Sequence, residues 1–371
     1  MNESTPTYWD YLALPELLNA QSGLGDGDIG PDELHFIIVH QAYELWFKLV
    51  LSQVRLARDH LALPEVPEEA VPSVVHHLNR VNEIMRLLVD QMKVMETLTP
   101  LDFLDFRDKL VPSSGFQSFQ MRELEILLGL EESQRLHYGK VNPLTHIKKL
   151  AATSPGGAMA WGRIEAAREE VSLREAVHRW LYRTPIQGST PEIAGDEQVV
   201  TQFLQDYLDR GAESRNIQAD RLASLSEDPE AVRARFAAMG ESTRAFMMAE
   251  DVKAEPSQIA RIRRIRAALL FVESYRELPL LAWPRLLVDT VVELEEQIVI
   301  WRHRHARMVE RLIGRRVGTG GSAGVAYLDK TTAYRVFPEL WAVRSMLSPR
   351  RARPDVRNPE VYAFRETIGK P

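Results

Sequence analysis

Along this chain of 371 residues, apolar side chains recur at spacings of three and four almost everywhere, and strict alternation over the length of a strand is scarce. Spacings of three and four keep apolar residues on one face of a helix, so the pattern predicts an all-α fold, a helical bundle. Asp32 and Glu33 open a first long helix that runs to about residue 60 and lines up Phe36, His40, Tyr43, Phe47 and Val54; Pro64 and Pro67 end it. A second helix is expected over about 72–97, followed by a cap at Thr99-Pro100-Leu101-Asp102 and a short helix over 103–110. Val111-Pro112-Ser113-Ser114-Gly115 breaks the pattern and 116–130 resumes it, while Gly156-Gly157 and Gln187-Gly188-Ser189-Thr190-Pro191 punctuate the middle third. Strong apolar periodicity returns in a pair of helices at roughly 259–278 and 284–313. The stretch between, about 171–254, is polar and rich in Glu and Arg, with short helical patterns at 200–208 and 231–239. No repeat, heptad array or linker divides the chain. A single domain spanning 1–371 is expected, with a peripheral polar insertion around 187–251.

Two histidines interrupt the apolar faces. Leu294, Ile298, Trp301, His305, Met308 and Leu312 follow one another at steps of four, three, four, three and four, which sets His305 inside an apolar stripe. His303 lies about 200° away, off that stripe. His40 shares its face with Phe36, Tyr43 and Phe47. A neutral imidazole on a hydrophobic wall is either a hydrogen-bonded core histidine or a ligand, acid, base or hydrogen-bond partner for something bound. Periodicity leaves both readings open for both residues.

Composition narrows the chemistry. With 46 Lys and Arg against 52 Asp and Glu the formal charge is −6, which argues against a nucleic-acid partner, and 45% hydrophobic with 26% charged residues is ordinary for a globular protein. Cysteine is absent, so any metal must be held by His or carboxylate, and a reducing compartment is expected. The first residues show no basic region followed by an apolar run, and no stretch approaches 18 uninterrupted apolar residues. A cytoplasmic protein with no membrane span is expected.

Gly318-Thr319-Gly320-Gly321-Ser322-Ala323-Gly324 follows the last long helix. It is no phosphate loop, since neither Lys-Ser nor Lys-Thr follows. It reads as a helix cap with a flexible loop, or as a loop that closes over a ligand with Thr319 offering a hydroxyl. Arg107, between Asp105 and Asp108, could belong to a surface ion-pair network or could grip a carboxylate bidentately.

Five ordered blocks give these pieces a common frame. They are Tyr8-Trp9-Asp10-Tyr11-Leu12; the run from Phe36-Ile37-Ile38-Val39-His40 through Gln41-Ala42-Tyr43-Glu44-Leu45-Trp46-Phe47-Lys48; Leu101-Asp102-Phe103-Leu104-Asp105-Phe106-Arg107; Ser114-Gly115-Phe116-Gln117-Ser118-Phe119-Gln120; and Trp301-Arg302-His303-Arg304-His305 leading into Gly318-Thr319-Gly320-Gly321-Ser322. Together they resemble the tryptophan 2,3-dioxygenase family, haem enzymes that open the indole ring of L-tryptophan with O₂. The resemblance implies a helical bundle enclosing a haem pocket. It makes His305 the axial ligand of haem b iron, His40 the distal residue near the indole nitrogen, Arg107 the partner of the substrate carboxylate, and Thr319 the partner of its ammonium. It also implies that Phe36 and Phe103 line the indole pocket with Leu110 and Ser114, that Arg122 meets a haem propionate, and that Trp301 walls the haem. Tyr8, Tyr11 and Leu12 would reach into a neighbouring subunit of a homotetramer.

These residue types suit the chemistry implied. A ferrous haem needs one strong axial donor and one open face, while tryptophan presents a carboxylate, an ammonium and an apolar ring to one pocket. The segment 187–251 and the basic run Arg350-Arg351-Ala352-Arg353 depart from the family's pattern. Two other functions fit the same residues. One is a haem monooxygenase of a natural-product pathway that inserts one oxygen atom into a tryptophan-like substrate to give a 2-oxindole or hydroxylated product. The other is a haem sensor or carrier, which needs His305 but neither Arg107 nor Thr319.

Overall fold

The computed structural model describes residues 7–22, 29–67, 69–111, 113–135, 143–318 and 324–363. Fifteen α-helices run through them: α1 Tyr8–Tyr11, α2 Leu14–Leu18, α3 Pro31–Ala62, α4 Ala70–Met95, α5 Pro100–Arg107, α6 Phe119–Leu128, α7 Pro143–Ala151, α8 Pro155–Glu169, α9 Leu173–Arg183, α10 Asp196–Ala223, α11 Pro229–Met247, α12 Pro256–Ser274, α13 Ala282–Ile313, α14 Val325–Thr331 and α15 Pro338–Arg344. Among the described residues the one β-type pairing is an isolated bridge between Ile186 and Ser189, so the fold is all-α as the periodicity predicts. No helix among them is long and apolar enough to cross a membrane.

The chain divides into two compact units. The first comprises Met1–Gln53, Arg80–Glu170 and Glu296–Tyr334; the second comprises Val54–Asn79, Val171–Glu295 and Arg335–Pro371. In the first, Val39, Phe47 and Val50 of α3, Met85, Leu88 and Met92 of α4 and Leu124 and Leu128 of α6 are buried. Burying a side chain of this size stabilises by about 1.5–3 kcal/mol. In the second, Phe203, Phe271, Tyr275 and Tyr362 form an aromatic core, with ring centroids 5.5 Å apart for Phe203–Phe271, 4.7 Å for Phe271–Tyr275 and 5.3 Å for Phe271–Tyr362.

Local signals explain the helix that carries Arg107. Thr99 caps α5 by accepting a 3.3 Å hydrogen bond from the Asp102 amide, and Pro100 fills the first helical position, where no intrahelical amide bond is lost. Three expectations need correction. The predicted helix over 116–130 starts later, because Gly115–Gln117 forms a 3-10 turn and Ser118 supplies the cap of α6. Gly156 and Gly157 do not break the chain but lie in the first turn of α8, capped by Ser154, whose hydroxyl accepts the Gly157 amide at 3.0 Å. The polar stretch forms helices far longer than its short apolar patterns suggest. α10 buries Val200, Phe203, Leu204, Tyr207 and Leu208 on one face, whereas α11 buries only Met247.

Candidate active site

The first unit encloses a cavity of about 260 Å³, walled by α3, α4, α5, the turn around Ser114, α6, α13 and α14. The helical spacing read in the sequence brings Phe36, His40, Tyr43 and Phe47 of α3 to one wall, and Trp301, His305, Met308 and Leu312 of α13 to another. Phe103, Arg107, Ser114 and Arg122 complete the set of sequence-predicted residues found there.

His40 has a defined hydrogen-bonding state. Its Nδ1–H donates to the Phe36 carbonyl at 2.7 Å, and its ring lies 4.0 Å from the Phe36 ring, so Nε2 is left as an acceptor. His40 lines the cavity and remains exposed. Burial pulls its pKa below 6.5, against the opposing pull of the Phe36 carbonyl and Glu44. His40 is therefore neutral at pH 7.

His305 is neutral for stronger reasons. Burial, then the proximity of His40, Arg302 and Arg122, lowers its pKa to about 4. Its ring stacks on Trp301 with centroids 5.1 Å apart and planes 10° from parallel, and Trp301 meets Phe47 edge-on at 5.9 Å. Among the described residues the His305 ring takes no hydrogen bond, which removes the hydrogen-bonded core reading and leaves a free donor pair on a cavity wall. The Trp301 indole N–H, also buried, has no partner either.

Arg107 ends α5, and one of its terminal nitrogens donates to the Val317 carbonyl at 2.5 Å. Its Nε is buried and unpartnered, and among the described residues it pairs with neither Asp105 nor Asp108. The surface ion-pair reading therefore gives way to a cation facing a cavity. Arg122 is 8% exposed and donates to Glu125 at 2.9 Å, again with an unpartnered Nε. Glu125 also accepts from Arg135 at 2.6 Å and from Arg302 at 2.6 Å. Burial alone would raise the Glu125 pKa, but the Arg122, Arg302 and Arg135 charges outweigh it and hold the carboxyl at about 2.

Other predicted residues lie elsewhere. Leu110, half-buried in the 3-10 turn Asp108–Leu110, does not line the cavity. Tyr8, Tyr11 and Leu12 are 71%, 83% and 41% exposed, away from this chain's own cavity. Thr319 lies outside the described residues. Sequence reasoning missed Arg302 and Glu125 at the site. Tyr43 lines the cavity and donates to the Leu88 carbonyl at 2.6 Å. The i, i+3 spacing of Arg122 and Glu125 was the available signal for the buried ion cluster.

A profile of the tryptophan 2,3-dioxygenase family matches residues 1–347. The tryptophan 2,3-dioxygenase of Sorangium cellulosum is 44% identical over 366 residues, which cover 96% of this chain and 87% of the relative. The tryptophan 2,3-dioxygenase 2 of Ralstonia nicotianae is 46% identical over 372 residues, 97% of this chain and 98% of the relative. A tryptophan 2,3-dioxygenase-like protein of Xanthomonas campestris is 45% identical over 271 residues, 72% of this chain and 98% of the relative. With its histidine-walled cavity and this likeness along nearly its whole length, the chain belongs to the tryptophan 2,3-dioxygenase family.

Proposed function

We propose that this enzyme is a haem-dependent dioxygenase that cleaves the indole C2–C3 bond of L-tryptophan, or of a substituted tryptophan, to an N-formylkynurenine-type product. One observation carries the reading. One apolar cavity is lined by an imidazole with no hydrogen-bond partner among the described residues, a second imidazole fixed as an acceptor, and an arginine with an unfilled donor.

The residues present fit haem b. His305 would hold the iron through a neutral nitrogen, Trp301 would provide an adjoining flat wall, and the unpartnered Nε of Arg122 would suit a propionate. Bound there, the haem supplies a ferrous centre that activates O₂.

The protein's part is to bind, orient and exclude water. His40 Nε2 accepts the indole N–H and sets the ring's orientation without removing the proton. Arg107 pairs with the carboxylate, a charge-assisted contact stronger than a neutral one. Phe36 and Phe103, 5.8 Å apart, supply the apolar surface for the indole, with Ser114 at its edge. Thr319 would take the ammonium, the remaining polar group of the substrate.

The enzyme works as a cytoplasmic homotetramer in this reading. Two exposed tyrosines on a capped helical turn are surplus to their own subunit, which supports Tyr8, Tyr11 and Leu12 covering a neighbour's pocket. Mass analysis of the product formed from tryptophan under ¹⁸O₂ tests the reaction. Two labelled atoms in one product are expected, and a single labelled atom would replace the dioxygenase by a monooxygenase.

A further inference from the structure

We propose that Glu125 is a positioning residue that presents Arg122 and Arg302 to the cavity as a receptor for a carboxylate of the bound cofactor. The inference rests on the haem reading above and deepens it, because neither Glu125 nor Arg302 belongs to the residues the family resemblance singles out.

The arrangement is a charge construction. Glu125 is 2% exposed, and its two oxygens are divided between partners. Oε1 accepts from Arg302 at 2.6 Å, while Oε2 accepts from Arg122 at 2.9 Å and from Arg135 at 2.6 Å. Arg135 does not line the cavity, and it meets a second carboxylate, the half-exposed Glu132, at 3.2 Å. Its charge is thus balanced from the solvent side. Arg122 and Arg302 do line the cavity, and they have one buried carboxylate between them. Counted at Glu125, these two arginines therefore carry an excess of one positive charge, and Arg107 and Glu44, which also line the cavity, add one charge of each sign.

A buried excess charge is costly unless an anion meets it. Arg122, which lines the cavity, keeps a buried Nε with no hydrogen-bond partner among the described residues. Arg302 is held in place from another side as well, with its guanidinium 4.9 Å from the centre of the Tyr334 ring. Glu125 thus holds two guanidiniums close together, which their mutual repulsion would otherwise oppose, while leaving one charge uncompensated. The complement is a carboxylate, and haem b carries two.

The midpoint potential of the haem iron reads this charge without depending on turnover. Glu125→Gln removes a negative charge and raises the excess to two, so the reduced iron is favoured and the potential should move up. Arg302→Gln lowers the excess to zero, and the potential should move down. The double variant restores an excess of one and should return close to the parent. A role limited to bracing the fold would move all three variants together or none.

A second measurement needs no variant. The parent should retain haem b better than haem dimethyl ester, whose propionates are neutral, by about ten-fold or more in dissociation rate. Arg302→Gln should shrink that preference. Equal retention of the two haems by the parent, or potential shifts of one sign in the two single variants, would overturn the proposal. Failure of the parent to bind either haem would instead remove the haem reading itself.

Discussion

Two arginines, one in each unit, show how a side chain that completes the fold differs from one that awaits a ligand. In the second unit Arg264 is 4% exposed and fully engaged. It makes two bonds to Asp196 at 2.7 and 2.8 Å, with others to the carbonyls of Tyr182 at 2.6 Å, Thr184 at 3.1 Å and Ser189 at 3.3 Å. In the first unit Arg107 makes one bond, to Val317, and keeps a buried donor empty beside a cavity. The empty donor alone is not diagnostic. Arg266 also lacks a partner for Nε, yet its outer nitrogens grip Asp251 at 2.6 and 3.0 Å and it stacks 3.6 Å from the Phe246 ring. What marks a ligand-facing arginine is an unfilled donor together with a cavity to fill it from.

That difference can be broken most severely at His305, a cavity residue whose ring makes no hydrogen bond among the described residues. His305→Ala should abolish haem retention, measured by the Soret absorbance after gel filtration, while far-UV circular dichroism keeps the parent's helical signal. Full haem loading in the variant would return His305 to the core. On the other side of the comparison, Arg264→Ala should cost about 3–5 kcal/mol of unfolding free energy, since it leaves Asp196 buried without its partner. Urea denaturation measures this, and a midpoint unchanged from the parent would show that Arg264 does not complete the fold.

Arg107→Ala should behave in the opposite way. Its urea midpoint should stay near the parent's, while tryptophan affinity falls by about 2 kcal/mol, roughly thirty-fold. Tryptamine, which lacks the carboxylate, should bind the parent poorly and lose little further in the variant. Equal affinity of the parent for tryptamine and tryptophan would detach Arg107 from the carboxylate.

The legibility of the sequence follows the same division. The apolar stripes of α3 and α13 were plain because a period near 3.6 is imposed by burial, and those stripes carried His40 and His305 with them. Gly157 was misread as a breaker because its reason is a contact distant in sequence from any local pattern. A Cβ there would clash with the Leu150 carbonyl, so glycine permits the close approach of α7 and α8. The length of α10 and α11 was hidden because charged residues extend a helix without leaving an apolar trace. Arg302 and Glu125 were missed for a related reason, since a charged side chain reads as solvent-facing until its buried partners are seen. The residues of α1 do not line the cavity of their own chain, so no intrachain packing pattern bears on the role proposed for them.

The smallest effect is expected at His40, where the comparison turns on one neutral hydrogen bond. If Nε2 accepts the indole N–H, His40→Ala removes a contact worth about 0.5–1.5 kcal/mol, so tryptophan affinity should drop by about ten-fold or less with turnover still measurable. 1-Methyltryptophan, which has no N–H to donate, should be a poor substrate for the parent and lose little more in the variant. The pH dependence follows from the tautomer. Burial lowers the His40 pKa from 6.5, so the ring stays neutral through pH 7, and protonation at more acidic pH converts Nε2 from acceptor to donor. Tryptophan affinity of the parent should therefore be flat through neutrality, fall at more acidic pH, and lose that acid limb in His40→Ala. Complete loss of turnover in the variant, with haem and tryptophan still bound, would make His40 an obligatory base rather than an orienting acceptor.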